Sequence, residues 1–308
     1  MKISVVGTGA IGSYYGIMLE NAGHEVHFLL RSDYDHVKEH GLRLHSEKHD
    51  SIYLPSVRAY KNAADMPVSE VILVALKTTQ NKGTLPEIRR QISDPSSIII
   101  LKQNGLDMES DLAAMLPDLQ MAGGVALITS YKTEPGLVNH QDHGNLDLGS
   151  YNLNDASVLT KIVEMFQKAG VKSSQQDLNY LRWKKLVWNM SFNGLSVYLN
   201  KTTSEILEDE HALAECRNIM KEVIAGAGVC GVQLPEYFDD DMVAFTSKMQ
   251  SYSPSMKLDF DFNRPMELEY LYEKPIKKAD QGGFSMKMTK LLYQQLKEID
   301  KKNTDQKL

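Results

Sequence analysis

The stretch VVGTGAIGSYYG, at positions 5–16, constrains this chain more than any other. It places Gly7, Gly9 and Gly12 in a G-x-G-x-x-G directly after the β-branched run KISVV and at the head of a helical pattern. Strand, tight turn and helix in that order open a parallel α/β arrangement. Each glycine has a task. Gly7 permits the turn, Gly9 lets a pyrophosphate approach the backbone, and Gly12 lets the helix pack closely on the strand. The diphosphate then rests on a helix N-terminus, where free N–H groups and the dipole favour negative charge. A ligand-free glycine turn can show the same spacing. The context separates the two: a strand before, a helix after, and a second strand ending about 20 residues beyond the last glycine. Gly7, Thr8, Gly9, Ala10, Ile11 and Gly12 are therefore the expected cofactor cradle.

The end of the second strand selects the dinucleotide. An NAD site places an Asp or Glu there to accept from the ribose 2′-hydroxyl. This chain reads FLLRSD, with Arg31 at that position. A guanidinium pairs with a 2′-phosphate and a carboxylate repels it, which favours NADP. The other reading makes Arg31 a solvated residue and Asp33 the ribose partner, and the sequence leaves both open. Lys77 after VILVAL and Asn104 after IIILKQ stand at further strand ends, where such sheets bind ligands. Either is also an ordinary loop residue on sequence grounds.

Short apolar runs alternate with helical patterns through the first half: strands at HEVHFLL, VILVAL and SIIILKQ, helices near 10–22, 81–92 and 107–116. That alternation predicts a parallel sheet covered on both faces. MAGGVALITSYK, GLVNHQD and NLDLGS read as separate strands extending it, and a helix follows at 155–169. Beyond Asp177 the strands stop. Helical patterns run over 178–200, 204–229, 235–250, 255–263 and 265–297, the last interrupted by Pro275 and by Gly282-Gly283. The charged tail from Lys297 is expected to fray. The reading is an α/β Rossmann-type dinucleotide-binding domain at 1–174 followed by an all-α domain at 175–308. A length of 308 residues is comfortable for two domains.

Composition excludes other classes. A formal charge of −6 gives no support to a nucleic-acid-binding surface, and no apolar run is long enough to span a bilayer. Two cysteines, Cys216 and Cys230, have neither a CxxC nor a histidine at ligand spacing, so no metal is expected. The N-terminus lacks a signal-peptide pattern, and reduced thiols fit a cytoplasmic setting.

WKKLVWNMSFN, at 183–193, is apolar around most of a helix, yet Lys185, Asn189 and Asn193 fall at i, i+4 and i+8 on one line. A buried unpaired ammonium costs several kcal/mol, so a lysine there needs partners or a ligand. A lysine in a cleft can protonate a carbonyl oxygen as hydride reaches the carbon, and the amides can hold a carboxylate or hydroxyl. The alternative is a lysine that snorkels to the surface. Further on, Pro265 reads as the first turn of a new helix, with Glu267 near its N-terminus. Composition alone does not separate a chemical role for Glu267 from that of a dipole residue with none.

Together GTGAIGSYYG, Arg31, ALKTTQ, KQNGL, PGLVNHQDHGNLDLGS, RWKKLVWNMSFN and SMKLDFDFNRPMELE resemble the ketopantoate reductase family over nearly the whole chain. The resemblance implies NADPH-dependent reduction of a 2-keto acid, ketopantoate for the named substrate, in pantothenate synthesis. The family's active site lies in the cleft between its two domains. The resemblance implies that Lys185 is the catalytic lysine and that Glu267 helps position the substrate. It implies that Asn104, Asn189, Asn193 and Ser255 contact substrate, and that the glycine loop, Arg31, Lys77 and Asn104 contact NADP(H). Three positions depart from the family pattern. Tyr272 and Glu273 stand where many members have Asn-Gly, and Met286 where many have proline. They bear on which 2-keto acid is taken. Rival readings are another 2-keto acid on the same scaffold, or a silent NADP-binding sensor. The apolar helical half leaves room for a homodimer.

Overall fold

The computed structural model describes residues 1–305. It divides into two compact units, one of residues 1–103 with 108–178, the other of residues 104–107 with 179–308.

The first unit is built on one sheet of nine strands: β1 (Lys2–Val6), β2 (Glu25–Leu29), β3 (Leu42–Ser46), β4 (Ile52–Leu54), β5 (Arg58–Tyr60), β6 (Val71–Val74), β7 (Ile98–Leu101), β8 (Gln120–Glu134) and β9 (Leu137–Ser150). Their order is β4-β3-β9-β8-β7-β6-β1-β2-β5. From β8 through β7, β6, β1 and β2 to β5 every pair is parallel. The residues explain why: VILV of β6 and IIIL of β7 are buried throughout, as strands covered on both faces must be. Helices α1 (Ala10–Asn21), α2 (Tyr34–His40), α3 (Leu85–Ile92), α4 (Met108–Met115) and α5 (Ala156–Lys168) accompany these strands. Phe28, Leu73, Ile100, Leu148 and Phe166 belong to the core they enclose.

Three expectations need correction here. The sheet is mixed, because β8–β9 and β3–β4 are antiparallel. GLVNHQD and NLDLGS form one strand, β9, whose register against β8 shifts in three places rather than ending. The stretch 34–60 holds a helix and three short strands that hydrophobic periodicity did not mark.

The second unit is helical: α6 (Leu178–Trp188), α7 (Gly194–Tyr198), α8 (Thr203–Glu208), α9 (Glu210–Val229), α10 (Phe238–Thr246), α11 (Ser255–Asp261), α12 (Lys274–Gln281) and α13 (Lys287–Asp305). Residues 204–229 were expected as one helix but break at Asp209. Its carboxylate caps α9 by accepting from the His211 and Ala212 N–H groups. Pro275 does not end its helix; it is the second residue of α12, directly after the π-helical turn Glu269–Glu273. Pro265 does not open a helix either, since residues 264–267 are irregular and the helical turns begin at Leu268. The tail expected to fray is helical as far as Asp305, and its remainder lies outside the described residues.

Two π-helical turns interrupt the α geometry. Asn189–Asn193 links α6 to α7, and Glu269–Glu273 leads into α12. Both are packed into the core of this unit, which contains Leu186, Phe192, Met220, Leu271 and Leu296.

Candidate active site

In the first unit the glycine loop joins β1 to α1 and lines a cleft of about 1380 Å³. Gly7 has φ +97°, and a side chain there would overlap Ala75 and Leu76 at the end of β6. A Cβ on Gly12 would overlap the Gly7 carbonyl oxygen, so the helix meets the loop as closely as backbone allows. Gly9 behaves differently: a Cβ there would meet nothing within 4 Å, so its missing side chain opens onto space. That is the shape of a pyrophosphate cradle, and the residues present fit the group. The loop is tied down by Thr8, whose hydroxyl donates to the Leu29 carbonyl at 2.9 Å, and by Ser13, whose hydroxyl donates to the Thr8 carbonyl at 3.1 Å.

Four cations line the same cleft: Arg31, Lys61, Lys77 and Lys132. Arg31 follows β2, as expected, and Lys77 precedes a short 3₁₀ turn after β6. Ala10, Ile11 and Gly12 lie in the first turn of α1. Asp33, the rival ribose partner, is engaged. Its carboxylate accepts from Lys132, from the Ser32 hydroxyl at 2.9 Å and from the Gly136 N–H at 3.3 Å. Burial disfavours its charge, but these donors outweigh that and hold the carboxyl below the usual range. Beneath the cleft, Gln103 and Asn81 exchange amide hydrogen bonds of 2.6 and 3.0 Å, and Gln103 also donates to the Leu76 carbonyl at 2.9 Å. This ties the chain after β7 to the chain after β6. Sequence reasoning missed Lys132, Lys61 and the Asn81–Gln103 pair, because nothing local marks them.

In the second unit Lys185 lies near the end of α6, with Asn189 and Asn193 in the π turn that follows. An α-helix advances about 100° per residue, so each four-residue step overshoots a full turn by about 40°. The π ladder turns less per residue, so the step from Asn189 to Asn193 takes back overshoot gained from Lys185 to Asn189. The wide turn straightens the polar line. Asn189 and Asn193 are 2 % and 1 % exposed, yet Asn189 Nδ2 and Asn193 Oδ1 have no hydrogen-bond partner among the described residues. Ser196, fully buried and three residues further, also has an unpartnered hydroxyl. Extending the line by i+3 finds it in the sequence. Native proteins rarely bury such atoms without a use.

The Lys185 ammonium stands 5.8 Å from the centre of the Trp188 ring, and among the described residues no carboxylate pairs with it. Burial pulls its pKa down from 10.5 to about 8. Its neighbour Lys184 turns to the Tyr180 ring instead. Ser255 is an exposed residue at the start of α11. Glu267 is half-buried immediately before the helical turn at Leu268, and Asn104 is half-buried in the segment grouped with this unit.

The three departures lie in packing. Tyr272 is fully buried, donates to the Met190 carbonyl inside the π turn at 2.6 Å, and stacks on Tyr293 at 6.1 Å. A Cβ at residue 194 would overlap its hydroxyl, so Gly194 is what admits the phenol. Glu273 accepts from the Tyr293 hydroxyl at 3.0 Å, and Met286 packs, fully buried, against Gly226.

Among the described residues no cluster suits a metal ion, and no helix is long and apolar enough to cross a membrane. Residues 3–152 match the family model described as ketopantoate reductase PanE/ApbA, and residues 177–300 the model of its C-terminal region. A 2-dehydropantoate 2-reductase of Nostoc sp. is 41% identical over 98% of this chain and 96% of its own. The crystal structure of 2-dehydropantoate 2-reductase from Geobacter metallireducens aligns with a TM-score of 0.92 at 35% identity, covering 97% of this chain and 99% of that one. A dimeric ketopantoate reductase from Staphylococcus aureus shares the fold at 16% identity, with a TM-score of 0.82 over 98% of this chain and all of its own.

Proposed function

The chain belongs to the ketopantoate reductase family, and from that premise we propose that it reduces 2-dehydropantoate to pantoate with NADPH, a step of pantothenate synthesis. The observation that carries the reading is the line of Lys185, Asn189 and Asn193. A lysine with a lowered pKa is followed at four-residue spacing by two buried amides, each with one polar atom that has no partner among the described residues.

In this reading residues 1–174 hold the cofactor and 175–308 supply the reacting side chains. NADPH, when bound, supplies the hydride. The loop Gly7 to Gly12 holds its diphosphate, and Arg31 and Lys77 meet its charges. Asn104, on this reading, contacts both cofactor and substrate. Lys185 Nζ stabilises the negative charge that grows on the substrate's keto oxygen and gives it a proton. Asn189 Nδ2 donates to the substrate's carboxylate, which Ser255 helps to orient, and Asn193 Oδ1 accepts from a substrate hydroxyl. Glu267 positions the substrate. A pKa of about 8 leaves Lys185 mostly protonated at neutral pH while making its proton easier to give. We further place the enzyme in the cytoplasm, in keeping with two free thiols, and as a homodimer, in keeping with the Staphylococcus aureus relative.

The test is NADPH consumption with ketopantoate and with a panel of other 2-keto acids, NADH in parallel, and Lys185→Ala as control. Ketopantoate is expected to turn over fastest. Lys185→Ala is expected to lower kcat by about 10²- to 10⁴-fold with folding intact. Turnover that survives the substitution sinks the mechanism. Faster turnover of a different keto acid replaces the substrate, and NADPH binding without turnover of any of them points to a sensor.

A further inference from the structure

We propose that Lys132 fits the cofactor cleft to a 2′-phosphate, by neutralising Asp33 and tying it to the glycine loop. This rests on the NADPH reading and deepens it. Asp33 lies two residues beyond Arg31, at the strand end where a carboxylate selects the unphosphorylated ribose. Both residues line one cleft, so a phosphate drawn to Arg31 would meet an anion close by. The structure resolves that conflict through a residue 99 positions away. Lys132, near the end of β8, pairs with Asp33 Oδ2 while its ammonium also reaches the Thr8 carbonyl at 3.3 Å. Both side chains are largely buried, at 18% and 16% exposure, so the pair is weakly screened. The Ser32 hydroxyl and Gly136 N–H occupy the carboxylate further. Asp33 thus becomes a strut instead of a ribose ligand, its charge offset by that of Lys132.

A merely structural tie predicts something different. If Lys132 only held the loop, removing it would weaken NADH and NADPH alike. If it cancels Asp33, the loss falls on the phosphorylated cofactor and disappears when the carboxylate is also removed.

The experiment is equilibrium binding of NADPH and NADH to the substrate-free protein, followed by calorimetry, with thermal melts of each variant. Lys132→Met is expected to weaken NADPH by about tenfold or more and NADH by clearly less. Lys132→Arg should keep the preference. The double variant Asp33→Asn with Lys132→Met should regain most of the NADPH affinity, and it serves as the measurement if the single variant does not fold. Equal losses for both cofactors, or no recovery in the double variant, overturn the proposal while leaving the NADPH reading in place. A parent protein that binds NADH and NADPH equally overturns the reading itself.

Discussion

The glycine-loop cleft and the polar line of the second unit treat buried polarity in opposite ways. In the cleft Asp33, Lys132, Thr8 and Ser32 satisfy one another. On the line Asn189, Asn193 and Ser196 keep polar atoms without partners among the described residues, and Lys185 has an aromatic face for a neighbour. The first arrangement supports its own backbone and presents a finished surface. The second keeps bonding capacity in reserve at a cost to the folded state. Substitutions should therefore destabilise the first region and, where they remove polarity, stabilise the second.

The largest expected effect is on the cleft. In Gly12→Ala the new Cβ overlaps the Gly7 carbonyl oxygen, which should cost about 3 kcal/mol in denaturant unfolding. If that variant is as stable as the parent, the loop is not the close-packed element described. The second effect has the opposite sign. Lys185→Met should stabilise the protein at pH 7 by about 2 kcal/mol while lowering kcat by about 10²- to 10⁴-fold. The folded-state pKa of Lys185, about 8, lies below its ordinary 10.5. Below pH 8 both states hold the proton and the burial penalty is full. Between 8 and 10.5 the unfolded chain binds the extra proton, so stability rises with pH and the variant's advantage fades. Melts from pH 7 to 11 measure this, and a constant difference refutes it. The same group predicts that kcat for reduction falls as pH rises through about 8.

Smaller effects sharpen the contrast. Tyr272→Phe removes the hydrogen bond to the Met190 carbonyl, which should cost about 1 kcal/mol and raise KM more than it lowers kcat. Gly9→Ala should change stability by only a few tenths of a kcal/mol, since its Cβ meets nothing, yet weaken NADPH binding measured by titration. Equal stability losses at Gly9 and Gly12 would remove the distinction between cradle and packing.

What the sequence made legible follows the same division. Gly7, Gly9 and Gly12 could be read because their roles depend on immediate neighbours: a strand before and a helix after. The shared line of Lys185, Asn189 and Asn193 could be read because four-residue spacing is a local property, although proposing Lys185 over Lys184 for the chemistry took the resemblance. Lys132 could not, since its meaning comes from Asp33 far along the chain. The join of two expected strands into β9 and the short strands of 34–60 depend on pairing partners, which periodicity does not report. The break at Asp209 was available as a capping signal, with an acid ahead of a helical run, and went unused.

A π turn is, in effect, one residue more than an α-helix needs at that point. Chain length inside this helix is therefore a variable of the site, as it is not in a surface loop. Removing a single residue between Asn189 and Asn193 would let the ladder relax to α geometry, with the flanking turns close to where they stand and the surplus residue lost from the buried stretch. The widened turn whose Met190 carbonyl meets the Tyr272 hydroxyl would close. Insertions and deletions should thus be far less tolerated here than in the irregular stretch 247–254, even though both lie within one helical unit.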